Sequence, residues 1–126
     1  MRILLDTHVF IWWDSEPDLL SQRAREFCED PNNTLVLSVV SVWEIQIKRQ
    51  IGKLDLRMPL NELIENQKQR NGFEILPVHL NHVLRLDELP AIHKDPFDRL
   101  LIAQAKIEDI KILTSDRVFA EYDVVL

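Results

Sequence analysis

The sequence predicts an α/β fold: a single domain over residues 1–126, with a central parallel sheet of about five strands and helices on both faces. Three observations predict it. Five short β-rich runs alternate with segments of helical spacing, and strands that alternate with helices favour a parallel sheet. The 126 residues, 46% apolar and 29% charged, suit one compact domain with a sizeable core. Only two glycines and six prolines are present, with no low-complexity tract, so nothing reads as a linker or a disordered tail.

Ile3 to Leu5 is the first strand. Leu20, Ala24, Phe27 and Cys28 then form an apolar helical stripe that stops near Pro31 and Asn32. Leu35 to Val40 is the second strand, and Ser41 starts a helix whose stripe is Trp43, Ile47, Ile51 and Leu54, with Gly52 as a helix end. Leu60, Leu63 and Ile64 begin a third helix, extended by polar residues to Asn71 and Gly72. Ile75 to Val78 is the third strand, and Leu80, Val83 and Leu84 mark a short helix. From Phe97 to Ile107 the chain is apolar on most sides, as expected of a helix buried in the centre of a domain. Ile112 to Leu113 and Val124 to Leu126 complete the strands. Right-handed crossovers bring every strand end to one edge, and ligands bind beyond the carboxyl ends of such strands.

Composition narrows the function classes. The longest apolar run, Val9 to Trp13, falls far short of the ~20 residues needed to cross a bilayer. Asp6 arrives too early for the apolar core of a signal peptide, and the lone Cys28 cannot form an internal disulfide, so a cytoplasmic protein is expected. A net charge of -6 argues against wrapping nucleic acid over the whole surface, yet it suits an acidic site that recruits cations. His79 and His82 lack a third ligand and read as surface or loop histidines.

Four carboxylates map to the expected rim. Asp6 follows the first strand and Asp116 follows Thr114-Ser115 after the fourth. Glu44 lies in the first turn of the helix begun by Ser41, and Asp98 in the first turn of the buried helix. Each has a structural explanation. Ser41-x-x-Glu44 is a capping box, and Glu44 can pair with Lys48 one turn on. Asp95 is a strong N-cap, Pro96 suits the first helical position, and Asp98 is favoured there by the helix dipole. Capping, however, is a need met one helix at a time and does not require acids at all four places around one crevice. Carboxylates about 5 Å apart repel by about 3 kcal/mol at an effective dielectric of roughly 20, so four converging groups need protons or a cation. An all-oxygen donor set favours Mg²⁺ or Mn²⁺ over zinc.

These residues resemble the PIN domain family and, within it, the VapC-type toxins of bacterial toxin–antitoxin pairs. The resemblance lies in Ile3-Leu4-Leu5-Asp6-Thr7-His8, Ser41-Val42-Trp43-Glu44-Ile45, DPFDRLLIAQA from Asp95 to Ala105, and LTSD from Leu113 to Asp116, in the family's order. It implies a metal-dependent endoribonuclease, the toxin of a toxin–antitoxin pair, with Asp6, Glu44, Asp98 and Asp116 at the family's four acidic positions. Asp6 and Asp98 would hold the main ion, directly or through waters, while Glu44 and Asp116 would complete the pocket or hold a transient second ion; the metal activates a water and neutralises charge on the phosphoryl oxygens. Asp95 keeps its capping role, and His8 is not needed as a base. Thr7, Thr114 and Ser115 look like hydroxyls that orient the carboxylates.

Lys48, Arg49, Lys53 and Arg57, with Arg99 and Arg117 beside the acids, are either solvated helix charge or contacts to RNA phosphate or to an antitoxin's carboxylates. The resemblance also implies a small antitoxin partner and a homodimer, and Trp12, Trp13, Trp43, Ile47 and Ile51 look more apolar than one small domain buries. Alternatives are an RNA-processing nuclease without an antitoxin, a catalytically silent binding protein, and a receiver-type signalling domain. The last needs an acceptor Asp after the third strand, where His79-Leu80 stands instead.

Overall fold

The computed structural model describes residues 1–90, 95–116, 119 and 125–126. Four parallel strands, β1 (Arg2–Leu5), β2 (Thr34–Ser38), β3 (Glu74–Leu76) and β4 (Lys111–Leu113), form a sheet of order β3-β2-β1-β4. Beyond β4, Val125 makes an isolated parallel bridge to Ile112, and the Leu126 N–H donates to the Ile112 carbonyl. The expected fifth strand therefore lies at this edge as a single bridge among the described residues; Val124 is outside them.

Alternation along β1 and β2 divides the apolar side chains between two cores. Ile3, Leu5, Leu35 and Leu37 face one side, packed by α1 (Thr7–Ser15), α2 (Gln22–Glu29), α3 (Val39–Gln50) and α4 (Leu60–Asn71). Leu4 and Val36 face the other, beneath α6 (Pro96–Glu108), whose Leu101, Ile102, Ala103 and Ala105 are buried. A short α5 (Leu80–Leu84) runs on into a 3-10 turn at Arg85–Glu88 and packs on α6.

Local chemistry sets the helix ends. Asp95 caps α6 by accepting from the Phe97 and Asp98 N–H groups at 2.9 and 3.1 Å, with Pro96 in the first position. Gly72 ends α4 in the left-handed region at φ 63°.

Three expectations are corrected. The strand expected over Leu35 to Val40 stops at Ser38, whose hydroxyl accepts from the Val40 N–H and caps α3. Ser41 is therefore inside the helix, and Ser41-x-x-Glu44 is no capping box. α1 was not expected at all: five successive apolar residues from Val9 to Trp13 show no helical period. His82, expected at the surface, is fully buried; its Nδ1 accepts from the His79 N–H and its Nε2 lies 3.2 Å from Glu108 Oε2. Among the described residues no helix is long and apolar enough to cross a membrane.

Candidate active site

β1, β2 and β3 follow one another outward, whereas β4 lies on the far side of β1, so the chain reverses direction across the sheet beside β1. Crevices at such reversals, beyond the carboxyl ends of the strands, are where ligands bind. A pocket of about 110 Å³ opens there, lined by Asp6, Thr7, His8, Glu44, Lys48, Asp95, Asp98, Ser115, Asp116 and Phe119.

The sheet register places its first acid. Leu5 pairs with Leu113, and the Asp6 N–H donates to the Leu113 carbonyl at 3.1 Å, which sets Asp6 beside Thr114. Asp6 leaves β1 and caps α1, accepting from the Val9 N–H at 2.7 Å, while the Thr114 hydroxyl donates to its other oxygen. The side chain is buried. Burial pushes its carboxyl above the usual aspartate value; the bonds from Thr114 and Val9 and the nearby His8 only partly offset this, and Asp116 adds to it.

Glu44 enters from the second turn of α3 and is 6% exposed. Its Oε1 lies 2.7 Å from Thr7 Oγ1, which is also 2.9 Å from Ser41 Oγ; Thr7 has one hydroxyl proton and directs it to the carboxylate. Glu44 Oε2 accepts from Lys48 Nζ at 2.8 Å. Asp98 is half-buried in the first turn of α6, and Asp116 is exposed with its N–H donating to Thr114 Oγ1 at 3.0 Å.

The four acids expected at one rim thus share one pocket, with Asp95 as a fifth. Among the described residues, however, no three His, Cys, Asp or Glu side chains form a ready-made metal cage. Thr114 bonds to Asp6, Thr7 bonds to Glu44, and Ser115 lines the pocket. Of the cations, Lys48 is in the pocket. Arg49 lines a separate groove between α3 and α4, and Arg99 donates to the Leu86 and Pro90 carbonyls at 3.1 and 3.4 Å. Arg117 is outside the described residues. The sequence reading missed the place of Ser41 beside Thr7, because that contact joins residues 34 apart and depends on β1–β2 pairing.

The PIN domain family profile matches residues 3–125. The chain belongs to the PIN domain family. A curated relative, Ribonuclease VapC22 of Mycobacterium tuberculosis, is 30% identical over 117 residues, which are 91% of this chain and 87% of the relative. Two solved structures share the PIN fold. VapBC2 from Rickettsia felis, bound to a DNA fragment from its promoter, superposes with a TM-score of 0.74 at 16% identity, covering 100% of this chain and 96% of the other. FitAcB from Neisseria gonorrhoeae gives 0.65 at 23% identity, covering 98% and 94%.

Proposed function

We propose that this PIN domain is a divalent-metal-dependent endoribonuclease and the toxin of a toxin–antitoxin pair. The observation that carries the reading is the pocket at the strand reversal, where a buried Asp6 is pushed up by burial beside Glu44, Asp98 and Asp116. Its donors fit a hard cation: all are oxygen, and an ion beside Asp6 would relieve the cost of burying charge there. Mg²⁺ usually keeps several of its own waters, so an open ring of carboxylates suits it better than a closed cage.

Asp6 and Asp98 would hold the ion, directly or through waters, and Glu44 and Asp116 would complete the ring. Bound there, the ion supplies an activated water and neutralises charge on the phosphoryl oxygens. Thr114 fixes the rotamer of Asp6, and Thr7 with Lys48 fixes that of Glu44. Ser115, at the exposed rim beside Asp116, would help to orient that carboxylate. RNA as the substrate is supported by the ribonuclease relative.

Partners in this reading are a small antitoxin and a second copy of the chain. Trp43, 59% exposed, borders a groove of about 550 Å³ with Val39, Val42, Leu60 and Ile64, and this gives a partner an apolar seat. Sedimentation as a monomer at micromolar concentration would remove the second copy. The reading as a whole is tested by incubating the purified protein with total cellular RNA, with Mg²⁺ and with EDTA. Discrete cuts that EDTA abolishes are expected; no cleavage with Mg²⁺ or Mn²⁺ would overturn the reading.

A further inference from the structure

The start of α3 buries two serine hydroxyls, and helix capping explains one of them. Ser38 is the N-cap: its Oγ accepts from the Val40 N–H at 3.0 Å and donates to Gln104 Oε1 at 2.5 Å. Ser41 is inside the helix, where no cap is needed and alanine is the better helix former. It is nevertheless fully buried, and a buried hydroxyl is costly without a hydrogen-bond partner. Among the described residues its side-chain partner is Thr7 at the start of α1, Oγ to Oγ at 2.9 Å.

The direction of that bond follows from the proton count. Thr7 Oγ1 touches both Ser41 Oγ and Glu44 Oε1, at 2.9 and 2.7 Å, and has a single proton. A carboxylate is the stronger acceptor, so the Thr7 proton goes to Glu44. Ser41 then supplies the proton between the two hydroxyls, which makes a chain from Ser41 to Thr7 to Glu44. A hydroxyl that accepts a hydrogen bond donates more strongly, and all three side chains are buried, away from competing water. Ser41 and Glu44 stand three residues apart on one face of α3, so the chain leaves the helix, turns at Thr7 and returns. Lys48 holds the other oxygen of Glu44.

We propose that Ser41 is a positioning residue: by donating to Thr7 it holds the Thr7 hydroxyl on Glu44, and so fixes that carboxylate at the wall of the pocket. Ser41 is not among the residues that line the pocket, and it acts there through Thr7. The inference rests on the metal-nuclease reading and adds a residue that shapes its site from outside.

The test is a double-mutant cycle on the full chain: wild type, Ser41→Ala, Thr7→Val and the double variant. Each is compared for RNA cleavage and for Mn²⁺ affinity, the latter by electron paramagnetic resonance, with circular dichroism to check the fold. Loss of a group that orients a metal-site ligand costs about 10- to 100-fold in metal affinity or activity. Thr7→Val is expected in that range and Ser41→Ala at its lower end. The double variant should be no worse than Thr7→Val alone, because the two residues act in series. Thr7→Ser, which restores the hydroxyl, should restore the sensitivity to Ser41→Ala. Losses that multiply in the double variant would overturn the proposal. So would a Ser41→Ala protein that melts lower but cleaves RNA and binds Mn²⁺ like wild type, since the serine would then serve the fold alone. A wild type that neither binds Mn²⁺ nor cleaves RNA would overturn the metal-nuclease reading and this inference with it, which keeps the two failures distinct. Should Thr7→Val not fold, Thr7→Ala takes its place with the same expectation.

Discussion

α1 carries a buried aspartate at each end, and the surroundings treat the two in opposite ways. Asp14, in the last turn, is 1% exposed at its side chain and takes two bonds from Arg57, at 3.0 and 2.7 Å. Gln67 Nε2 and the Ser15 hydroxyl add bonds of 2.7 Å each. Burial works to raise the Asp14 carboxyl, but Arg57, Ser15 and Gln67 together outweigh it and hold the group below its ordinary value of 3.8. At the other end of the helix Asp6 is raised above that value, because burial there outweighs the bonds from Thr114 and Val9 and the nearby His8, and Asp116 adds to it. The Asp14 cluster ties α1 to the segment before α4 and to α4 itself, and so holds the fold together. The Asp6 cluster weakens the fold and leaves a charge deficit that a metal ion can fill.

The contrast is broken most severely at Asp6. Asp6→Asn should lower RNA cleavage by at least about 100-fold, as loss of a metal-holding group removes several kcal/mol of charge stabilisation. In metal-free buffer the same variant should melt about 3 °C higher, because a raised carboxyl is replaced by a neutral amide. Cleavage rates near wild type, or a lower melting temperature together with intact activity, would contradict the assignment. Asp14→Asn should do the reverse. It loses a buried charge-assisted pair and is expected to destabilise by about 2 kcal/mol, discounted because Arg57 is partly exposed, while cleavage per folded molecule stays within about twofold. Chemical denaturation of this variant with no loss of stability would remove the structural role.

The smallest and sharpest difference is in pH dependence. The Asp14 contribution is present above the unfolded value of 3.8 and is lost as pH falls through the lower folded value, so the gap between wild type and Asp14→Asn should close only in strong acid. Asp6 has the opposite sign. Its favourable contribution is complete below 3.8 and is lost as pH rises through the raised folded value, so Asp6→Asn should gain on wild type as pH increases. Melting curves across acid pH separate the two; parallel curves for both variants would sink the comparison.

What could be read in the sequence was what is decided nearby in the chain. Asp95-Pro96 as the start of α6, Gly72 as the end of α4 and the Glu44–Lys48 pair depend on residues within four positions, and all three stand in the structure. The common rim for Asp6, Glu44, Asp98 and Asp116 followed from alternating strands and helices, since parallel connection leaves every strand end on one edge. Long-range packing was not legible. Asp14 finds Arg57 across 43 residues, and His82 is buried against Gln104 and Glu108 on a helix more than twenty residues away. Val39 and Val40 looked like strand because both are β-branched, yet the Ser38 hydroxyl starts the helix there, which shifts Glu44 from the first turn to the second.

In the proposed chemistry, carboxylates and a divalent ion act without a cationic acid or base. Ribonucleases that use the RNA's own 2′-hydroxyl leave a cyclic or 3′-phosphate, whereas attack by an external water expels the 3′-oxygen and leaves a 5′-phosphate and a 3′-hydroxyl. Mapping the cut ends by phosphatase and ligase sensitivity decides between them. The expected products carry 5′-phosphate and 3′-hydroxyl ends, with cleavage retained when the scissile nucleotide has a 2′-deoxy sugar; a 2′,3′-cyclic phosphate product would rule out attack by an external water.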